Sequence, residues 1–123
     1  MKEIRKEYLL KTTQPILFNR ISSASGLSEW FADDVLFEGK IATFKWGGTI
    51  QKAKIMGITP NESIRFCWLD SEPPAEFGFT ISEDELTGDI ALIVTDHVEE
   101  EEEADVVNLW NSQISRLKHA IGS

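Results

Sequence analysis

Alternation between apolar and polar residues governs the middle of this chain. Ala42, Phe44 and Trp46 alternate with Thr43 and Lys45, the period-two signature of a strand with one face buried. The same period returns in Ile64, Phe66 and Trp68, and again in Phe77, Phe79 and Ile81. The breaks between these runs carry turn chemistry. Gly47-Gly48 reads as a hairpin turn, and Pro60-Asn61 sets proline at the favoured first central position of another. Glu72-Pro73-Pro74 ends a strand, and Thr87-Gly88 or the acidic stretch before it makes the last turn. Further strands are expected over residues 49–58 and 89–98. The latter contains Ile-Ala-Leu-Ile-Val, a continuous apolar run that predicts burial on both faces or a bend.

The two ends read differently. Residues 3–11 set Ile4, Tyr8 and Leu10 among charges, as a first strand would. Thr13 is placed to cap a helix beginning near Pro15. That helix carries Leu17, Ile21 and Ala24 on one face and is expected to end before Ser25-Gly26, with a second short helix over residues 27–31. Asp33-Asp34 then breaks the pattern. Over residues 102–121, Val106, Trp110, Ile114, Leu117 and Ile121 recur at spacings of four, four, three and four. This is one apolar helical stripe, and Gly122 is a natural stop. A single amphipathic helix after a meander of six or seven strands has one place to bury its stripe, the concave face of the curved sheet. The expected fold is α+β, with residues 1–123 as a single domain.

Composition narrows the partners. A chain of 123 residues is long enough to bury about two-thirds of its unfolded surface around one core. No apolar run approaches the ~20 residues of a membrane-spanning helix, so no membrane insertion is expected. The charged start, MKEIRKEYLL, is followed by too short an apolar run for a signal peptide. Cys67 is the single cysteine, which excludes an intramolecular disulfide and suits a reducing compartment, hence a cytoplasmic location. The 12 basic residues are scattered among 21 acidic ones, for a net charge of -9. That balance argues against nucleic acid and against anionic membrane surfaces. Five consecutive glutamates, Glu99 to Glu103, complement the positive end of the terminal helix. They lack the alternating oxygen ligands and the glycine of a calcium loop.

Catalytic chemistry finds little support. No HxH, HExxH or CxxC spacing marks a zinc site, so neither a metal nor a cofactor is expected. Asp96-His97 is the one place where a histidine adjoins a carboxylate, yet strand neighbours face opposite ways and cannot form a dyad. His119 reads as a surface group near a helix C-terminus. Cys67 lies on the strand face opposite Phe66 and Trp68, with no base nearby in sequence to activate it. Arg65, Lys52 and Lys54 read as solvent-facing. The inward positions are almost all apolar, whereas an enzyme needs at least two convergent ionisable groups. Aromatic residues are dense. Each ring either fills the core or lines a cavity in which tryptophan N–H groups orient a ligand.

Several short segments, taken in order, are similar to one known family. They are Pro15 in the first helix, Gly26-Leu27-Ser28-Glu29-Trp30-Phe31, Lys54 to Pro60 (KIMGITP), Ile64 to Trp68 (IRFCW), and Trp110 with Leu117-Lys118. In this order the chain resembles the START-like (SRPBCC) helix-grip superfamily, especially its heat-shock ATPase activator-like branch. The resemblance implies a curved antiparallel sheet wrapped around a long C-terminal helix, two short helices after the first strand, and a pocket between helix and sheet. Relatives bind lipids, sterols, polyketides or plant hormones, modulate a chaperone, or act as cyclases or dehydratases, so the fold alone does not settle the function.

The expected function is binding of a small hydrophobic molecule, lipid-like or aromatic, as a carrier or sensor without catalysis. The expected ligand-binding residues are Trp30, Phe31, Phe44, Trp46, Phe66, Trp68, Phe77, Phe79, Trp110, Ile114 and Leu117. The alternatives are a cyclase or dehydratase and a protein-interaction module. A homodimer stays open. A chaperone partner ranks lower, because the chain has only the one domain.

Overall fold

Strand pairing brings the chain's alternating segments into one antiparallel sheet. The computed structural model describes residues 1–123. Seven strands, β1 (Lys2–Leu10), β2 (Asp34–Glu38), β3 (Ile41–Trp46), β4 (Thr49–Thr59), β5 (Ser63–Trp68), β6 (Glu76–Glu83) and β7 (Ile90–Val98), line up in the order β1-β7-β6-β5-β4-β3-β2. Consecutive strands from β2 to β7 are neighbours, and β1 closes onto β7, so the edges are β1 and β2. The long helix α3 (Glu103–Ile121) crosses the inner face. Two short helices, α1 (Gln14–Ser22) and α2 (Ala24–Leu27), link β1 to β2.

Register fixes which residues look inward. Phe44 pairs with Val35 and Gln51, Ala53 with Ala42 and Trp68, Phe66 with Ile55 and Phe77, and Phe79 with Ile64 and Val94. All of these lie on the helix-facing side, because residues opposite one another across a ladder share a face. The run Ile90 to Val94 is buried on both faces. Ile90, Leu92 and Val94 face the helix, while Ala91 and Ile93 sit on the outer face, between β1 and β6. A bulge at Met56 breaks the β4–β5 register between Ile55 and Gly57, adding local twist.

The turns follow their residues. Gly47 and Asn61 adopt positive φ, 56° and 62°, at the two hairpin ends. Glycine takes that conformation freely, and asparagine more readily than most residues.

One expectation needs correction. The second helix is not over residues 27–31; it is Ala24–Leu27, followed by turns through Phe31. Ala24 accordingly belongs to α2 rather than to the face of α1. The cause is Ser23, which is extended (φ -123°, ψ 153°) and ends α1. Its Oγ accepts from Gly26 N at 2.9 Å, so it also caps α2. Thr13 caps α1 as expected, accepting from Ile16 N.

The terminal stripe docks as its spacing predicts. Trp110, Ile114 and Leu117 are buried, while Val106 and Ile121 pack at the two ends of the contact. Gly122 closes the helix in the left-handed conformation, φ 73°, as C-terminal caps commonly do. Two further bonds tie α3 to the first strand and its end. Tyr8 Oη donates to Asn111 Oδ1 at 2.7 Å, and Lys11 N donates to Ser123 Oγ at 2.7 Å.

Candidate functional site

Aromatic rings fill most of the space between helix and sheet. Phe66 stacks on Phe77 with centroids 4.9 Å apart, and Trp68 stacks on Phe77 at 4.7 Å. Phe31, from the turn after α2, stacks on Trp110 at 5.6 Å and meets Phe44 and Trp46 edge-on. Phe79 sits edge-on to both Trp30 and Trp110. Offset-stacked and edge-on pairs add to the stabilisation that burial alone supplies.

The packing leaves a cleft of about 520 Å³ between the N-terminal half of α3 and the β3–β4 hairpin. Its apolar wall is Phe31, Trp46, Trp68, Val106, Leu109 and Trp110. Its polar lining comes from Asp33, Gln51, Asp96, Ser112, Gln113 and Arg116. A second depression, about 300 Å³, lies on the outer face of the sheet among Glu3, Arg65, Glu76, Thr95 and His97. It is polar and small, and it offers an apolar molecule little to bury against.

Hydrogen bonds hold the cleft in shape. The Phe31 carbonyl accepts from both Trp46 Nε1 and Gln113 Nε2, each at 2.8 Å. Asp33 Oδ2 accepts from Gly47 N at 2.7 Å, fastening the start of β2 to the β3–β4 turn. Asp96 receives two donors: Trp110 Nε1 to Oδ2 at 2.9 Å, and its neighbour His97 N to Oδ1 at 2.8 Å. Burial pushes the Asp96 carboxyl above its ordinary 3.8, and these two bonds only partly offset that rise. Three of the four indoles therefore have fixed partners, the third being Trp30 Nε1 on Arg20 O at 2.9 Å. Trp68 Nε1 makes no bond to the protein.

The whole of this arrangement falls within one family. A START-like superfamily domain model matches residues 1–123. The chain belongs to that superfamily. Its members typically bind hydrophobic ligands. No curated protein matches the sequence.

Solved structures share the fold at low identity. The Aha1 dimer of Colwellia psychrerythraea, solved in solution, superposes with a TM-score of 0.83 at 18% identity, covering 98% of this chain and 96% of that one. DynU16, from the dynemicin biosynthetic locus, gives 0.83 at 16% identity and covers 98% of this chain. The START-like chain here spans 47% of DynU16, about half its length. The AHSA1 protein of Silicibacter pomeroyi gives 0.71 at 16% identity, with 98% of each chain covered.

Of the eleven residues expected to contact a ligand in this START-like domain, the structure brings Phe31, Trp46, Trp68 and Trp110 together at the cleft. The other seven, Trp30, Phe44, Phe66, Phe77, Phe79, Ile114 and Leu117, do not line it; they are buried core. The physical reason is filling. Their rings and branches pack against one another in the core cluster, and none of the seven is more than 2% exposed.

Reading the sequence for apolar positions missed the cleft's polar side. The signal was present in the alternation. Asp96 continues the phase of Ile90, Leu92 and Val94, so the same period that turns His97 outward turns Asp96 inward. Gln51 shares the phase of Ala53 in the same way. Gln113 follows Trp110 by three residues, on the apolar stripe itself. His97 lies on the outer face, its Nδ1 2.7 Å from Glu76 O. His119 is exposed.

Proposed function

We propose that this START-like domain, residues 1–123 acting as one unit, binds a small and mainly apolar molecule in the α3–hairpin cleft and serves as a carrier or sensor without catalysis. The observation that carries this reading is the cleft itself: about 520 Å³ with six apolar lining residues, three of them tryptophans. Small-molecule sites are clefts of about 300–1,000 Å³, mostly apolar, with a few placed polar groups. The volume suits a compact aromatic or a short lipid segment rather than a whole long-chain lipid. The Aha1 protein of Colwellia is a dimer, which supports a homodimer for this chain as well. Its net charge of -9 and single cysteine fit a cytoplasmic setting.

Titration of the protein with fatty acids, sterols and flat aromatics tests the reading. Binding shifts or quenches tryptophan emission and raises the melting temperature, because Trp46, Trp68 and Trp110 border the site. The signal survives raised salt, since burial of apolar area is not screened as charge pairs are. Trp68→Ala weakens it. Unchanged emission and melting temperature across the panel at high micromolar concentration overturn the proposal.

A second reading, an enzyme of the cyclase or dehydratase kind, has one observation in its favour. Asp96 is a largely buried carboxyl in the cleft with a raised pKa, and perturbed acids in clefts are candidates for acid–base work. The remaining ionisable groups of the lining are Asp33, which is bound to Gly47 N, and the exposed Arg116. His97, the natural partner by sequence, faces away. Carrier or sensor binding is therefore preferred.

A further inference from the structure

The polar groups of the cleft are not evenly divided between donors and acceptors. Gln113 is only 5% exposed and lines the site. Its amide orientation is settled by its partner, because the Phe31 carbonyl can only accept and so must face the NH₂ group. The amide oxygen, Oε1, receives no donor from the protein and is the atom left to the cleft. Asp96 adds a second acceptor on the same side. Each of its oxygens takes one protein donor, and an ionised carboxylate has about four acceptor positions. Asp33, exposed at the hairpin end of the rim, uses Oδ2 for Gly47 N. On the donor side, Gln113 Nε2 keeps a second N–H beside the one given to Phe31 O and Trp68 offers one, while Arg116, Gln51 and Ser112 are exposed at the rim, as Asp33 is.

An acceptor closed off from water without a donor weakens binding by about tenfold or more, so an apolar ligand that displaced water from Gln113 Oε1 would incur that penalty. A ligand that brings its own donor would not. A carboxylate set against Gln113 Oε1 and Asp96 would bring lone pairs to face lone pairs, within a protein of net charge -9. Building on the ligand-binding reading above, we infer that the cleft selects apolar or aromatic molecules carrying a hydroxyl or amine donor. That donor is set against Gln113 Oε1 and Asp96, and carboxylate-bearing molecules of the same shape are rejected. The apolar body rests on Trp46, Trp68 and Leu109.

Four matched probes test this: naphthalene, 2-naphthol, 2-naphthylmethylamine and 2-naphthoate. Binding is followed by ¹⁵N NMR shifts of the Gln113 side-chain amide and the indole N–H groups, with calorimetry for affinities. In the wild type, 2-naphthol and the amine bind at least about tenfold tighter than naphthalene, and 2-naphthoate binds weakest. Gln113→Met reduces the preference of 2-naphthol over naphthalene to about threefold or less while naphthalene affinity holds. Asp96→Asn removes the charge, so the amine loses affinity relative to 2-naphthol, which gives a test independent of whether Gln113→Met folds. Equal affinities for naphthalene and 2-naphthol, or tightest binding by 2-naphthoate through Arg116, overturn the donor inference while leaving the cleft a ligand site. Silence from all four probes overturns the ligand-binding reading together with it.

Discussion

Replacing Trp110 tests how α3 is held on the sheet. This side chain is 5% exposed, stacks on Phe31 with centroids 5.6 Å apart and a 21° tilt, and meets Phe79 edge-on at 5.7 Å. A tryptophan buries about 150–250 Å². At about 25 cal/mol per Å², complete loss of that burial would cost roughly 4–6 kcal/mol, an upper bound because the unfolded chain already hides some of the area. Trp110→Ala is therefore expected to destabilise the fold by about 3–5 kcal/mol, the range of large aromatic truncations in cores.

Trp110→Phe separates the ring from its polar end. It keeps most of the packing but removes the N–H donor of Asp96. A hydrogen bond to a charged group contributes about 1.5–3 kcal/mol, and water in the open cleft can partly replace it, so a loss of about 1–2 kcal/mol is expected. Urea unfolding followed by far-ultraviolet circular dichroism measures both, and is not distorted by the missing indole. A loss below about 1 kcal/mol for Trp110→Ala would refute the reasoning, since no fully docked tryptophan is removed so cheaply. It would mean that α3 is held by something other than its apolar stripe.

Gly26→Ala should destabilise by about 2 kcal/mol or more, because a Cβ there would collide with the Asn19 carbonyl oxygen and lie 2.7 Å from Arg20 Cα. Gly48→Ala is the control: nothing lies within 4 Å of its Cβ position, so thermal melts should place it within about 0.5 kcal/mol of wild type. Asp96 gives a pH signature. Its folded pKa lies above the ordinary 3.8, so as pH rises through that interval the unfolded chain gives up its proton first and the native state loses stability. Asp96→Asn has no such titration. Its stability relative to wild type should therefore become more favourable as pH rises from about 4 and level off above the folded pKa, whatever constant offset comes from the Asn amide facing His97 N–H. A flat difference across urea melts from acid to neutral pH would show that Asp96 is not desolvated.

What the sequence determined by itself is most of the elements and the meander that joins β3 to β7; β2 and the closure of β1 onto β7 came only with the tertiary structure. Phe44 and Trp46, Phe66 and Trp68, and Phe77 and Phe79 alternate over distances of two residues, and Gly47-Gly48 and Pro60-Asn61 act within four. Local steric and hydrogen-bond rules operate at that range, so the meander was legible without coordinates. The Trp110–Ile114–Leu117 stripe was legible for the same reason, since helical geometry repeats within one turn. The boundary between α1 and α2 was not, because Ser23 could have been read as a helical residue or as a cap with equal local justification.

Only the tertiary structure decided which aromatics pack and which remain at an opening. Phe66 and Trp68 have the same pattern in sequence, yet one is sealed beneath Phe44 and Phe77 while the other borders the cleft. The difference depends on how far α3 and the turn at Phe31 extend over the sheet, which is a long-range property. The meeting of Asp96, Trp110, Gln113 and the Phe31 carbonyl is of the same kind. These groups come from a strand end, a helix and a turn as much as 82 residues apart, and the polarity of the cleft follows from their juxtaposition rather than from any one segment.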